Sequence, residues 1–187
     1  VIVKFLDKNL IISSAQFDGE KIPTFSYKGY ENAIFGIPAA KKPGIYSFST
    51  TFTNGEKYSK QITVRAKKFS LVILPVPEKL KMTSKELSAN LGVQNTQIKK
   101  TTSEWKREVY FNSGFGLPLY DNRRLGSLYG EVRRTGTEEI RHLGTDFTAK
   151  KGAMVAAINS GVVSKAYLDP IYGNSVILDH GGGIYSL

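Results

Sequence analysis

Along the first 75 residues, apolar and polar positions alternate over short runs, with no helical period. Val1-Ile2-Val3-Lys4-Phe5 and Leu10-Ile11-Ile12-Ser13 are the first predicted strands, with Asp7-Lys8-Asn9 as the turn between them. Phe17-Asp18-Gly19-Glu20 predicts a further turn. Pro43-Gly44 precedes Ile45 through Phe52, a run of β-branched and aromatic residues that predicts a strand. Asn54-Gly55 then offers the positive φ angles of a tight hairpin, with Tyr58 to Val64 returning. Short strands at such intervals predict a mainly β chain that opens with a small immunoglobulin-like β-sandwich over residues 1–75. This module holds no histidine and its aromatics fall at strand spacing, so it is expected to pack a core and to bind, space or cover a neighbouring site.

The pattern changes at Phe69 to Pro77, where a strand runs into Pro75 and Pro77. Residues 76–110 read as a partly helical linker. One short helix is capped by Thr83 or Ser84, and a second runs from Asn95 or Thr96 toward Val109. Trp105 is expected to anchor packing. From Phe111 the chain turns to glycine, aromatic and arginine residues. Short β-rich pieces follow at Met154 to Ile158, Val162 to Ala166 and Ser175 to Leu178, and these predict antiparallel sheet.

Candidate chemistry sits in Arg141-His142-Leu143-Gly144-Thr145-Asp146-Phe147, which holds one of only two histidines. Imidazole nitrogen and carboxylate oxygen both suit zinc, although a catalytic zinc takes three protein ligands and keeps a fourth position open. On a strand, positions 142 and 146 share a face, but a straight strand would part their Cα atoms by roughly 13 Å. A bend is therefore expected, and Gly144 permits it. On spacing alone, a surface histidine with a nearby solvated aspartate is the simpler account. His180-Gly181-Gly182-Gly183 is similar to an oxyanion loop, but no G-x-S-x-G nucleophile elbow accompanies it.

The wider segment resembles a known family. Arg141 to Phe147, Gly152 to Ala157, Gly161-Val162-Val163, Tyr172 to Ile177 and Asp179-His180-Gly181-Gly182-Gly183 follow the order of the lysostaphin-type (LytM-like) zinc metallopeptidases. Leu125 to Gly130 followed by Arg133 is similar to the family's Ser-x-Phe-Gly-x-x-Arg, with Tyr129 in place of Phe. The resemblance implies that residues 111–187 are the first part of an antiparallel-β peptidase domain and that His142 and Asp146 are zinc ligands. The implied activity is endopeptidase cleavage of peptides in peptidoglycan crosslinks or stems, in the bacterial cell envelope, periplasmic or extracellular. Arg133 is a candidate contact to a substrate carboxylate, with a surface salt bridge as its other account; Asn174, where the family has a Gly-Asn turn near the cleft, is a candidate substrate contact read first as a structural turn. Arg134 is an alternative to Arg133. His180 falls on a strand end and hairpin in the family. The family's Tyr-x-His and His-x-His motifs would fall past Leu187, so the third ligand and the catalytic histidines are expected outside these 187 residues. By themselves these residues are expected to bind zinc weakly and to be inactive. The alternative reading is a non-catalytic relative that binds cell wall or activates another hydrolase.

Charge adds a second expectation. There are 26 basic and 16 acidic residues, a formal net charge of +10, with basic pairs such as Lys67-Lys68, Arg123-Arg124 and Lys150-Lys151. That balance favours an anionic partner such as a cell-wall polymer. No helix-turn-helix, zinc-finger or RNA-binding signature accompanies it, which argues against nucleic acid. Cysteine is absent, excluding disulfides and thiolate metal sites, and no apolar run reaches the roughly 20 residues that span a bilayer.

Overall fold

The computed structural model describes residues 1–119 and 125–187; the Arg123-Arg124 pair and part of the Pro118–Gly130 resemblance lie outside the described residues. The protein is mainly β. It divides into two compact units, one of Val1–Lys67, Thr102–Asn112 and Asp179–Ser186, the other of Lys68–Thr101, Ser113–Leu178 and Leu187.

In the first unit, β1 (Ile2–Lys4), β5 (Tyr30–Ile34) and β4 (Thr24–Tyr27) form one sheet in that order. A second sheet has the order β3 (Glu20–Lys21), β2 (Ile12–Phe17), β6 (Gly44–Phe52), β7 (Lys57–Val64). Alternation decides the faces. Along β6, Phe48, Thr50 and Phe52 are buried while Ile45 and Ser47 are exposed. Phe48 and Phe52 join Phe5, Ile12, Ala15, Phe17, Ile22, Ala33 and Phe35 in one core drawn from both sheets. The β6–β7 hairpin turns at Asn54-Gly55, where the sequence predicts it, but of the two residues Gly55 alone takes positive φ, at 88°, and the Asn54 side chain accepts from the Glu56 amide at 3.0 Å.

In the second unit, β8 (Leu71–Ile73) ends just before Pro75 and pairs in parallel with β9 (Val132–Thr135), which pairs antiparallel with β10 (Glu138–Arg141). The sheet is thus mixed. Two short helices are also expected, but α1 runs unbroken over Ser84–Thr101. Gly92 sits inside it at a cost of about 1 kcal/mol relative to alanine, too little to break a helix that packs against β10. Its start is a capping box. The Glu86 amide donates to Thr83 Oγ1 at 3.2 Å, and the Thr83 amide donates to the Glu86 carboxylate at 2.7 Å. The β11 (Val162–Asp169) and β12 (Gly173–Asp179) strands form a hairpin. Asp169 Oδ1 holds its turn by accepting from the Ile171 and Tyr172 amides, each at 2.8 Å. The predicted strand at Met154 to Ile158 does not form. Among the described residues its backbone pairing is confined to two bonds, from the Gly116 amide to the Ile158 carbonyl at 2.7 Å and from the Ala156 amide to the Pro118 carbonyl at 2.9 Å, and Met154 and Val155 stand 81% and 76% exposed.

Two distant segments complete the first unit. Arg107 donates to Thr24 Oγ1 at 2.7 Å, to the Ile12 carbonyl at 3.2 Å and to Glu31 Oε2 at 2.6 Å. The same Glu31 oxygen accepts from the Ile12 amide at 2.9 Å. Residues 180–183 then lie against residues 105–110. Val109 bridges Gly181, the Tyr110 amide donates to the His180 carbonyl at 2.9 Å, and the Gly182 amide donates to the Glu108 carbonyl at 2.8 Å. A short β13 (Tyr185–Ser186) follows.

Candidate metal centre

The backbone of residues 142–146 is held by the stretch that precedes β9. His142 donates its amide to the Glu131 carbonyl at 2.8 Å, and its carbonyl accepts from Gly130 at 2.7 Å. Asp146 is fixed in the same way, donating to Ser127 and accepting from Gly126, each at 2.8 Å. Each residue is therefore pinned on both sides of its Cα. Two glycines make the approach possible. A Cβ on Gly126 would meet the Asp146 Cβ at 3.4 Å, and one on Gly130, at φ +88°, would strike the Phe69 ring at 2.1 Å. Between the pinned points the chain bends at Gly144.

The bend brings the two side chains together: His142 Nε2 lies 3.1 Å from Asp146 Oδ1. His142 is mostly buried, with 12% of its side chain exposed, whereas Asp146 is 53% exposed. His142 Nδ1 stands 3.2 Å from the Leu128 carbonyl oxygen. Carbonyl and carboxylate both accept, and a neutral imidazole has one N–H for the two; with that proton on Nδ1, toward the carbonyl, the lone pair is on Nε2. That lone pair then faces a carboxylate oxygen. Two acceptors at this distance need a second proton or a cation between them.

Zinc fits that requirement. Ligand distances near 2.0–2.2 Å at tetrahedral angles place two donor atoms roughly 3.3–3.5 Å apart, close to what the pair already has. The backbone bond at Nδ1 also supplies the outer hydrogen bond that metal-binding histidines ordinarily carry. The donor set stops at two, since among the described residues no three His, Cys, Asp or Glu side chains gather.

Arg133 lies beside the pair on β9. Its Nη2 donates to Asp146 Oδ2 at 2.7 Å and its Nε donates to Glu131 Oε1 at 3.2 Å. The guanidinium thus engages the second oxygen of the same carboxylate that faces His142. Arg134 reaches Glu139 across the hairpin at 2.6 Å. Asn174 is exposed on β12 and its side chain bonds to neither member of the pair. His180 is fully buried in the first unit, with Nε2 at 2.8 Å from Ser186 Oγ. Sequence reasoning leaves out Glu131 and the Leu128 carbonyl; their signal is three-dimensional, because both act through the hairpin that folds over residues 142–146.

The histidine and the carboxylate are thus held tip to tip just past the end of β10. Residues 140–187, roughly a quarter of the chain, match the family model described as Peptidase family M23, which comprises the LytM-type peptidases. The carboxy-terminal segment is therefore LytM-like, and the match takes in both His142 and Asp146. No curated protein matches the chain. The family is generally zinc-dependent and the match carries a peptidase-related function.

Proposed function

We propose that the protein is a zinc-dependent endopeptidase acting on peptide bonds of peptidoglycan crosslinks or stems in the cell envelope, with His142 and Asp146 as two of its three protein ligands. One observation carries the reading: His142 Nε2 and Asp146 Oδ1 meet at 3.1 Å while Nδ1 of the same ring stands 3.2 Å from the Leu128 carbonyl oxygen, the arrangement of a metal-binding histidine with its outer hydrogen bond. The chemistry zinc supplies when bound is activation of a water and polarisation of the scissile carbonyl. The chain's own residues prepare the place. The Leu128 carbonyl fixes the histidine tautomer, the two pinned backbones set the separation, and Arg133 holds Asp146 by its far oxygen. The third ligand and the proton-handling histidines belong to the family's later motifs, so these 187 residues bind zinc weakly and do not hydrolyse peptide.

The test is zinc affinity by competition with a chromophoric chelator, followed by hydrolysis of crosslinked muropeptides by these 187 residues and by a form extended with the family's Tyr-x-His and His-x-His motifs. Replacement of His142 by Ala or of Asp146 by Asn is expected to weaken zinc at least ten-fold and to abolish hydrolysis. Zinc binding unchanged in both variants, or robust hydrolysis by these 187 residues alone, would overturn the assignment.

A further inference from the structure

The β4–β5 hairpin of the first unit carries a cationic surface with no role in the metal pair. Tyr27 and Tyr30 face each other across its turn, whose central residues Lys28 and Gly29 both have positive φ, 51° and 77°. Such a two-residue turn favours Asn-Gly or Asp-Gly. A lysine there adopts a conformation that L-residues with long side chains rarely take.

Lysines converge on the two rings. Lys4 Nζ lies 3.9 Å from the Tyr30 ring centroid and Lys8 Nζ 5.1 Å from it, while Lys28 Nζ lies 5.2 Å from the centroid of Tyr27. A Cβ on Gly29 would meet Cδ and Cε of Lys8 at 3.9 Å, so that stem follows the turn. Among the described residues none of the three ammoniums forms an ion pair. The neighbouring acids are otherwise engaged: Asp7 Oδ1 accepts from the Asn9 amide, and buried Glu31 is held by Ile12 and Arg107. Lys4 and Lys8 thus bring two ammoniums to one ring, and an anion that reaches both is attracted to each.

From this arrangement we propose that the β4–β5 turn is a docking surface for a linear polymer of phosphodiester groups on a polyol backbone, free of aromatic bases. The reading rests on three features. Every cation at the two rings is a lysine, which meets phosphate as a point charge, and the arginine bonded to this hairpin, Arg107, is committed to Thr24 and Glu31. The ammoniums take up ring faces that stacked nucleobases would need, so the aromatic platform used by single-strand nucleic-acid binders is not on offer. Finally, the overall charge of +10 attracts any polyanion, and this cluster gives it a defined contact. The proposal does not depend on the peptidase reading.

The experiment is calorimetric titration of the full chain with synthetic poly(glycerol phosphate), and with single- and double-stranded DNA at matched phosphate concentration, over a range of salt. A triple replacement of Lys4, Lys8 and Lys28 by Gln is expected to weaken poly(glycerol phosphate) binding by about 10- to 100-fold at low salt. It should also cut the slope of log K against log salt by about 2, at about 0.7 per phosphate contact. A control replacing exposed Lys42, Lys57 and Lys60 by Gln removes the same charge elsewhere in the unit and is expected to cost under about three-fold. If the triple variant does not fold, Lys8→Gln alone serves, with an expected loss of about two- to four-fold against no resolved loss for Lys42→Gln alone, and equal losses in this pair overturn the proposal in the same way. Equal losses in patch and control variants would show that net charge alone is responsible and overturn the proposal. Absence of binding by the wild type would also overturn it, and DNA bound as tightly as the polyol polymer would overturn the choice of partner.

Discussion

Replacing Gly181 by alanine tests whether the glycine run of the M23 segment is a structural contact of the first unit. Gly181 has φ +77°, and a Cβ there would lie 2.2 Å from the Glu108 carbonyl oxygen and 2.7 Å from the Val109 Cα. Both obstacles are backbone, so no side-chain rotation relieves them. The left-handed conformation alone costs an alanine about 1–2 kcal/mol. To admit the methyl group, residues 108–110 must withdraw, which breaks the bonds from the Tyr110 amide to the His180 carbonyl and from the Gly182 amide to the Glu108 carbonyl. At about 1 kcal/mol each, the total loss comes to about 3–4 kcal/mol.

Gly19→Ala provides the matched control. Gly19 belongs to the same unit and has φ +81°, but nothing lies within 4 Å of its would-be Cβ. It is expected to lose only the conformational part, about 1–2 kcal/mol. Urea unfolding followed by tryptophan fluorescence measures both, because the chain's single tryptophan, Trp105, lies in the segment that would be displaced. The expected result is a gap of about 2 kcal/mol between the variants. Equal losses would refute the claim that residues 105–110 and 180–183 are held together by close backbone approach.

Other perturbations follow from the same geometry. Arg107→Met leaves the Glu31 carboxylate, whose side chain is 8% exposed, with the Ile12 amide as its remaining partner. It is expected to destabilise the first unit by about 2–3 kcal/mol, below the cost of breaking a fully buried pair because Arg107 is partly solvated, as measured by thermal unfolding. The Glu86 carboxyl is held below its usual range, first by the Thr83 amide and then by the Thr83 hydroxyl. Its capping contribution is therefore present above the unfolded value of 4.5 and lost as pH falls through the lower folded value. Far-ultraviolet circular dichroism should show helix lost on acidification in the wild type and a shallower pH response in Glu86→Gln. Burial, then the charges of Asp169 and Tyr167, pushes the Tyr172 phenol upward, so the fold favours its neutral form. Stability from this group is complete below the unfolded value of 10.0 and falls as pH rises toward the folded one, a component that Tyr172→Phe should remove from alkaline unfolding curves. Arg133→Met frees the second oxygen of Asp146 and is expected to weaken zinc by about ten-fold in the chelator assay.

The β6–β7 hairpin was legible because Asn54-Gly55 is a strong local signal between two well-patterned strands. The β4–β5 hairpin was not, since its turn places Lys28, an unusual residue for positive φ, where Asn or Asp is expected. Met154 to Ile158 shows the opposite failure: a β pattern is present, but among the described residues its pairing stops at two backbone bonds to residues 116–118, short of a regular strand. At the metal pair, the need for a bend at Gly144 follows from strand geometry alone. The Arg133 contact to Asp146 does not, because it joins residues thirteen positions apart through a hairpin register that local pattern leaves open.

The glycine run shows where a sequence signal was present but underused. A hairpin after Asp179-His180 needs one or two residues with positive φ, and the sequence supplies three consecutive glycines. All three use that freedom, at φ 77°, 62° and 76°, and a Cβ on each would strike a different neighbour: the Glu108 carbonyl, the Phe25 ring and Pro23. Turn chemistry explains the sign of φ but not the absence of every side chain. Close packing of other chain segments explains both. The excess of glycine over what a turn requires is therefore the readable trace of a contact between residues more than seventy positions apart, and Trp105, set beside Gly183, is the large side chain brought into that contact.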